Sequence, residues 1–266
     1  MSRVISLAYL TFIPYTAPQA VRLARACGYD AVGLRILPAA PGGGMDDLIH
    51  DQALLRETKA ALAETGVSVF DMEIIRIGAE FNLASLTPFL ETGAELGAKA
   101  VLVAGDDADE SRLIANYAAF CQAALPYGMT ADLEFMPWTA VKNARAAMRI
   151  LSAAQQPNAG ILVDALHVGR SETTNADLAA IPREWLHYCQ VCDAEPGTHF
   201  SLEELIYNAR VQRFLPGEKS IDIKGMLAAL PADLPISVEI PSEPVKAEIG
   251  VEAFAEAAMA ATKALI

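Results

Sequence analysis

Apolar, β-branched runs alternate along the chain with longer segments in which apolar residues recur every three or four positions. Runs of the first kind are typical of buried parallel strands, and segments of the second kind are typical of amphipathic helices. The pattern predicts eight strands: VISLAYL (4–10), AVGLRI (31–36), VSVFDMEII (67–75), AVLVAG (100–105), MTADLEF (129–135), GILVDAL (160–166), LHYCQVCD (186–193) and PISVEIP (235–241).

Helical periodicity fills most of the intervals between the predicted strands. Three of the early helices close on Gly28, Gly66 and Gly97, and glycine is the residue favoured just past a helix C-terminus. The predicted helices span residues 17–28, 52–66, 86–97, 109–128, 139–154, 177–182, 221–230 and 251–266.

Strands alternating with helices, without a linker or a break in composition, predict a single-domain (β/α)8 barrel over residues 1–266. The length suits this fold, which typically needs about 250 residues. A doubly wound open sheet is the alternative, but it would need a phosphate-binding GxGxxG loop after a strand, and the sequence has none. The GGG triplet at 42–44 lacks that context and is predicted to be a flexible loop.

Composition narrows the class of protein. A hydrophobic content of 53% argues against disorder, and no uncharged apolar run is long enough to predict a membrane span. The formal net charge of -13 would repel nucleic acid. Four cysteines in a chain of this size are predicted to be free thiols, as in the cytoplasm. Cys189 and Cys192 lie three apart in a predicted strand, so they should face opposite ways and serve only in packing.

Oxygen-bearing side chains occur near the ends of the fifth to eighth predicted strands: Glu134, Asp164, Gln190 and Glu239. Strand alternation lets each of them point into the barrel, and barrel chemistry is found at the C-terminal strand ends. Neighbouring carboxylates repel one another, and a divalent cation relieves that repulsion. Carboxylate and amide oxygens suit Mg²⁺ or Mn²⁺, so the pattern predicts a metal site. Helix caps and salt bridges at strand ends are the alternative interpretation.

The chain resembles the xylose-isomerase-like TIM-barrel superfamily of sugar isomerases and epimerases, inosose dehydratases and family 2 AP endonucleases. The segments that carry the resemblance are GYDAVGLR, EFMPW, VDALHVGR, QVCDA, ARVQRFLPGEKSID and VEIP. In the epimerase branch a Glu, an Asp, a His and a Glu on strands five to eight hold one Mn²⁺, Mg²⁺ or Co²⁺. The resemblance implies these roles for Glu134, Asp164, Gln190 and Glu239, with Zn²⁺ as a further alternative. Gln190 departs from the usual His, and an amide oxygen is a harder and weaker ligand than imidazole.

The resemblance also implies substrate contacts. His167 matches the His of a D-x-x-H pattern, which contacts the substrate rather than the metal. The segment RVQRFLPGEKSID matches a loop that closes over the substrate, with Arg210 or Arg213 binding an anionic group. Trp138 could stack on a sugar ring or plug the barrel top. The remaining substrate-binding candidates are Arg35, Glu73, Asp193 and Glu218.

The function predicted first is that of a metal-dependent isomerase or epimerase. Its substrate would be a small sugar, polyol or keto-acid, and an anionic group on that substrate would suit the arginine candidates. Glu134 and Glu239 would then exchange a proton on either side of a cis-enediolate. A dehydratase or lyase would share the enolate but expel a β-hydroxyl. The four histidines and the acidic charge argue against a repair endonuclease. A non-catalytic binding barrel is the last alternative, and the Ala-rich final helices could mediate a homodimer.

Overall fold

The eight predicted strands form a closed barrel in chain order. The computed structural model describes residues 3–197 and 199–266. The strands are β1 Ile5–Leu7, β2 Ala31–Arg35, β3 Ser68–Ile77, β4 Ala100–Gly105, β5 Thr130–Glu134, β6 Ala159–Asp164, β7 Cys189–Val191 and β8 Ile236–Val238. All neighbours are parallel, and the pairing of β1 with both β2 and β8 closes the sheet. The predicted single-domain (β/α)8 barrel is therefore confirmed.

Helices separate the strands. They are α1 Tyr9–Phe12, α2 Ala17–Cys27, α3 Gln52–Thr65, α4 Thr87–Leu96, α5 Glu110–Ala124, α6 Ala144–Ala154, α7 Ala165–Arg170, α8 Asn175–Ala179, α9 Leu202–Arg210, α10 Ile223–Ala229, α11 Glu243–Ile249 and α12 Val251–Lys263. The glycines predicted to end α2, α3 and α4 do so with positive φ angles of 79°, 72° and 76°. Four short helices, α1, α7, α9 and α11, were not predicted.

Several element boundaries differ from the prediction. The first strand ends at Leu7 rather than at residue 10, because the chain turns into α1 at Tyr9. The third strand continues to Ile77, so Glu73 lies inside it and not at its end. Its pairing with β4 shifts register between Met72 and Ile75. An apolar run continues past the end of the first strand, whereas Arg76 interrupts the run of the third strand, so hydrophobicity alone locates neither boundary.

The core has two parts. Outward-facing side chains such as Leu7, Val101 and Val163 pack against the surrounding helices in a large apolar cluster. A smaller cluster, which includes Leu102, Leu162 and other apolar residues, fills part of the barrel interior. Charged side chains occupy the C-terminal mouth above it. Among the described residues, no helix combines the length and apolar character needed to cross a membrane.

Candidate active site

A cavity of about 240 Å³ opens at the C-terminal mouth of the barrel. Its size suits a small molecule rather than a polymer. The ionisable side chains in its wall are Arg35, Glu73, Arg76, Glu134, His167, Arg210, Arg213 and Glu239. The barrel thus brings most of the predicted site residues to one place.

Asp164 ends β6 and caps the N-terminus of α7. Its Oδ1 accepts a hydrogen bond from the backbone N–H of Leu166 at 2.8 Å. Its Oδ2 lies 2.8 Å from Nη1 of Arg213. The side chain is fully buried, where an unpaired carboxylate would be costly. Both oxygens are therefore engaged by donors of the chain itself, which explains a carboxylate at the end of a buried strand.

Arg213 joins Asp164 to Glu239. Its Nη2 lies 2.8 Å from Oε2 of Glu239 and donates to the carbonyl of Ala209 at 3.1 Å. Its Nη1 also donates to the backbone carbonyl of Glu239 at 3.2 Å. Burial alone would lower the pKa of this guanidinium, but the two carboxylates outweigh it and raise the pKa well above its ordinary value. The predicted substrate clamp is thus a buried cation within an internal ion-pair network.

Glu134 and His167 stand beside this network. Nε2 of His167 lies 3.5 Å from Oε1 of Glu134 and 3.6 Å from Oδ2 of Asp164. Burial lowers the pKa of His167 to about 4, so the imidazole is neutral at pH 7. Burial, with the charges of Asp164 and Glu239, raises the pKa of Glu134 well above its ordinary value. The pair can therefore hold a proton on the carboxyl group and offer a neutral imidazole.

The opposite wall of the cavity carries a second ion pair. Nη2 of Arg35 lies 3.3 Å from Oε1 of Glu73, and the guanidinium stacks 4.6 Å above the ring of Tyr9. Burial raises the pKa of Glu73, against the opposing effect of Arg35. Arg76 also reaches the cavity while it forms a two-point pair with Asp106, at 2.7 and 2.8 Å. Sequence reasoning missed Arg76, and extending the third strand by two residues would have found it.

Trp138 and Arg210 also line the cavity. The Trp138 ring packs edge-on against the His167 imidazole, with the centroids 5.1 Å apart. Arg210 is exposed at the end of α9, and no ion pair to it occurs among the described residues. Stacking on a sugar by Trp138 and anion binding by Arg210 remain predictions.

Two predicted substrate contacts lie away from the cavity wall. The Asp193 carboxylate is fully buried and accepts hydrogen bonds from four backbone N–H groups, those of Ala194, Gly217, Lys219 and Ile221. It therefore fixes the segment 212–221 onto the barrel. Glu218 is exposed in that segment and accepts a hydrogen bond from the N–H of Leu215.

Gln190 and Cys192 occupy β7 and the residues just after it. The Gln190 amide is fully buried, and neither of its polar atoms finds a partner among the described residues. Sγ of Cys192 lies 3.5 Å from Nη1 of Arg213 and 3.8 Å from Oδ1 of Asp164. Sequence reasoning treated Cys192 as a packing residue only. Its spacing of two from Gln190 along one strand places both on the same face.

The donor set accommodates a divalent cation only in part. One ligand atom each from Glu134, Asp164 and His167 lie within 4.8 Å of one another, a cluster that could hold a metal. Of the four predicted ligands, however, Asp164 has both oxygens engaged and Glu239 has one engaged by Arg213. In this structure, therefore, not all four predicted ligands have oxygen atoms free to bind a metal.

Comparison with known proteins gives the family. Residues 21–263 match the family model described as the xylose isomerase-like TIM barrel. A 3-dehydroshikimate dehydratase of Pseudomonas aeruginosa is 25% identical over 243 residues, which cover 85% of this chain. The chain spans only 36% of the length of that relative.

Two solved structures are similar in fold. One is the IolI protein, which holds a zinc atom, with a TM-score of 0.77, 18% identity, and coverage of 98% of this chain and 97% of that one. The other is a 3-keto-D-glucoside 4-epimerase of E. coli, with a TM-score of 0.74, 18% identity, and coverage of 98% of this chain and 100% of that one. The family match extends over most of the sequence, and the chain belongs to the xylose isomerase-like TIM barrel family.

Proposed function

We propose that this protein is an isomerase or epimerase that removes a proton from the carbon beside a carbonyl group of a small sugar, a keto derivative of a polyol or a keto-acid. The observation that supports this most strongly is the pair Glu134 and Glu239, both buried in one cavity, with Glu239 paired to the Arg213 cation. Burial raises the pKa of Glu239 to about 8, although Arg213 opposes that rise. A carboxyl group with a pKa near the working pH is suited to general acid–base catalysis.

The two carboxyl groups take complementary roles in this proposal. Glu239 uses the oxygen that is not paired with Arg213 to remove the α-proton. The C–H electrons form a carbon–carbon double bond, and the π electrons of the carbonyl group move onto its oxygen. Glu134 returns a proton to one of two carbons. It goes either to the opposite face of the same carbon or to the former carbonyl carbon, and in the second case the hydroxyl group of the first carbon passes its proton to the former carbonyl oxygen. The first outcome is epimerisation and the second is isomerisation. The neutral His167 lies beside Glu134 and would hydrogen-bond an oxygen of the enediolate.

Arg210 supports an anionic substrate. Arg35, Arg76 and Arg213 each have a carboxylate partner inside or beside the cavity. Arg210 reaches the same cavity, and among the described residues no carboxylate pairs with it. An exposed guanidinium suits a carboxylate or phosphate group. A keto-acid or a phosphorylated sugar would therefore place its charge at the α9 side of the cavity.

A dehydratase is the second candidate, because the relative from Pseudomonas aeruginosa is a 3-dehydroshikimate dehydratase. Loss of water begins with the same proton removal by Glu239. The electrons of the enolate then expel a β-hydroxyl group, and Glu134 donates the proton that converts it to water. The two reactions differ in whether the second proton goes to carbon or to oxygen.

Proton removal at this site requires a positive charge beside the developing enediolate. A divalent metal at Glu134, Asp164 and His167 could supply it. Two of these ligands are carboxylates, which favour Mg²⁺ or Mn²⁺ over Zn²⁺. The alternative source is Arg213, which already lies between two carboxylates of the same site.

The test is a panel of ketoses, inososes and keto-acids, including 3-dehydroshikimate, incubated with the protein in D₂O. Each compound is assayed with chelator and with added Mn²⁺, and NMR records both deuterium exchange and loss of water. We expect wild type to exchange deuterium into one compound of the panel. We expect a variant with both Glu134→Gln and Glu239→Gln to lose that exchange. Exchange that persists in the double variant would contradict the proposal.

A further inference from the structure

We infer that the guanidinium of Arg213 is the resident cation of this site and takes the place of a divalent metal. The inference deepens the proposed function, because the same cation would face the enediolate. Its test measures metal binding rather than turnover. Each proposal can therefore fail without the other.

Both terminal nitrogens of the Arg213 side chain are engaged by acceptors of the chain itself, whereas its buried Nε has no partner among the described residues. Its two terminal nitrogens contact two carboxylates, Asp164 and Glu239, and two backbone carbonyls. The residue is only 2% exposed. The planar guanidinium fork suits two acceptors held at a fixed separation, which a flexible lysine would not match. The two terminal nitrogens are therefore committed to acceptors of the chain itself and are not free to clamp a substrate anion.

The backbone holds Arg213 in place from both sides. Phe214 exchanges two backbone hydrogen bonds with Asp193, each 2.9 Å long, and the N–H of Arg213 donates to the carbonyl of Pro241 at 2.7 Å. The preceding Gln212 forms a β-bridge with Ser242. The segment is therefore bonded to the ends of both β7 and β8, and Arg213 is a fixed part of the barrel mouth rather than the tip of a mobile lid.

A metal in the neighbouring cluster would compete for the same oxygen. Oδ2 of Asp164 lies 3.6 Å from Nε2 of His167 and is also the oxygen paired with Nη1 of Arg213. A divalent ion bound to this oxygen would lie a few ångströms from the guanidinium. Two cations that close together in a buried site repel strongly. The Arg213 guanidinium therefore lowers the affinity of the cluster for a divalent ion.

The environment of Gln190 is consistent with the replacement of a divalent metal by Arg213. Its amide is fully buried without a partner among the described residues, at the position where the resemblance implies a His ligand. An amide oxygen binds transition metals more weakly than imidazole does. Gln190 thus offers an amide oxygen, the nitrogen donor of the metal-binding cluster is His167, and the site contains the positive charge of Arg213.

The test compares Mn²⁺ binding among four forms of the full chain after removal of metals with a chelator. Electron paramagnetic resonance measures free Mn²⁺ during titration with the metal alone, and thermal unfolding is recorded with and without Mn²⁺. The forms are wild type, Arg213→Met, Gln190→His and Arg210→Met. The last is the matched control, because it removes an arginine from the same cavity wall without touching the ion-pair network.

Wild type, Gln190→His and Arg210→Met are expected to show no stoichiometric site below millimolar Mn²⁺. Arg213→Met should bind Mn²⁺ on the order of 100-fold more tightly and gain thermal stability from it, since the repulsive charge is gone. One tightly bound Mn²⁺ per chain in wild type or in Gln190→His would overturn the inference. The inference would also be overturned if Arg213→Met folds but binds Mn²⁺ no more tightly than wild type. If Arg213→Met does not fold, the wild-type and Gln190→His titrations still test the inference, because a tight Mn²⁺ site in either form overturns it.

Discussion

Asp132 and His187 form an ion pair at the N-terminal end of the barrel, opposite the cavity, with 2.7 Å between Oδ1 and Nδ1. Asp132 is fully buried, and its other oxygen accepts a hydrogen bond from Thr130 at 2.6 Å. Burial lowers the pKa of His187, but the hydrogen bond and the charge of Asp132 outweigh that effect and raise it above 6.5. Folding therefore favours the charged imidazole at this end of the barrel.

The stability contributed by this pair should depend on pH. Because the folded-state pKa of His187 is raised, its contribution is complete below the unfolded pKa of about 6.5 and is lost as the pH rises through the folded value. His187→Gln should lower the free energy of unfolding on the order of 3 kcal/mol at about pH 6, and less at about pH 9. Urea denaturation at both pH values measures this. His50→Gln, in an exposed pair with Asp47, is the control and should change little. An equal loss at both pH values would contradict the account.

The same pair leaves no room for a side chain at Gly160. A Cβ atom there would overlap Oδ1 of Asp132 and Nδ1 of His187. Gly160→Ala should therefore destabilise the protein by roughly 1–3 kcal/mol, the usual cost of overpacking. Gly78→Ala is the matched control, because an added Cβ there would meet only Cβ of Asp106 at 4.0 Å. Thermal unfolding compares the two, and equal stability of both variants would rule out the predicted clash.

Asp193 should be a positioning residue for the segment that carries Arg213. Asp193→Ala would leave four backbone N–H groups without their acceptor. We expect a loss of at least about 3 kcal/mol in unfolding free energy and faster proteolysis within the segment 212–221. Glu195→Gln, which affects only an exposed pair with Lys219, serves as the control. Unchanged protease resistance in Asp193→Ala would show that the four bonds do not fix the segment.

Glu239→Gln should reduce turnover by at least about 100-fold, the usual contribution of a positioned base. Glutamine keeps the shape and can still accept a hydrogen bond from Arg213, so the fold should survive. Since the pKa of Glu239 is about 8, the wild-type rate should rise with pH towards that value as the base form accumulates. Glu218→Gln, outside the cavity, should keep the wild-type rate and profile. Activity of Glu239→Gln within a few-fold of wild type would remove Glu239 from the acid–base role.

The fold was predictable from the sequence because hydrophobic periodicity marks each strand of a buried parallel sheet. The fourth strand was predicted with both boundaries correct at Ala100 and Gly105. The missed α9 had a readable signal in its capping box, in which Ser201 and Glu204 bond each other's backbone. The missed α7 offered only Asp164 as an N-cap, because its six residues, ALHVGR, are too few to show a helical period.

The candidate site was predictable only as a set of residue types at strand ends. Asp164 and Arg213 are 49 residues apart, and only closure of the barrel brings them together. The sequence offered both Arg210 and Arg213 as candidates for binding an anion. The end of α9 at Arg210 and the bridge of Phe214 to Asp193 turn Arg213 inward and leave Arg210 exposed. That distinction depends on three-dimensional contacts that no local pattern encodes.

The most direct test of the account is solvent deuterium incorporation by wild type, Glu134→Gln and Glu239→Gln, using the panel compound that wild type converts. NMR in D₂O follows the carbon beside the carbonyl group. We predict that wild type labels this carbon, and that each single variant loses net conversion by at least about 100-fold while retaining its fold. The contradicting result is that the product carries no deuterium, no water is lost and neither variant changes the rate. That result would rule out proton transfer by Glu134 and Glu239.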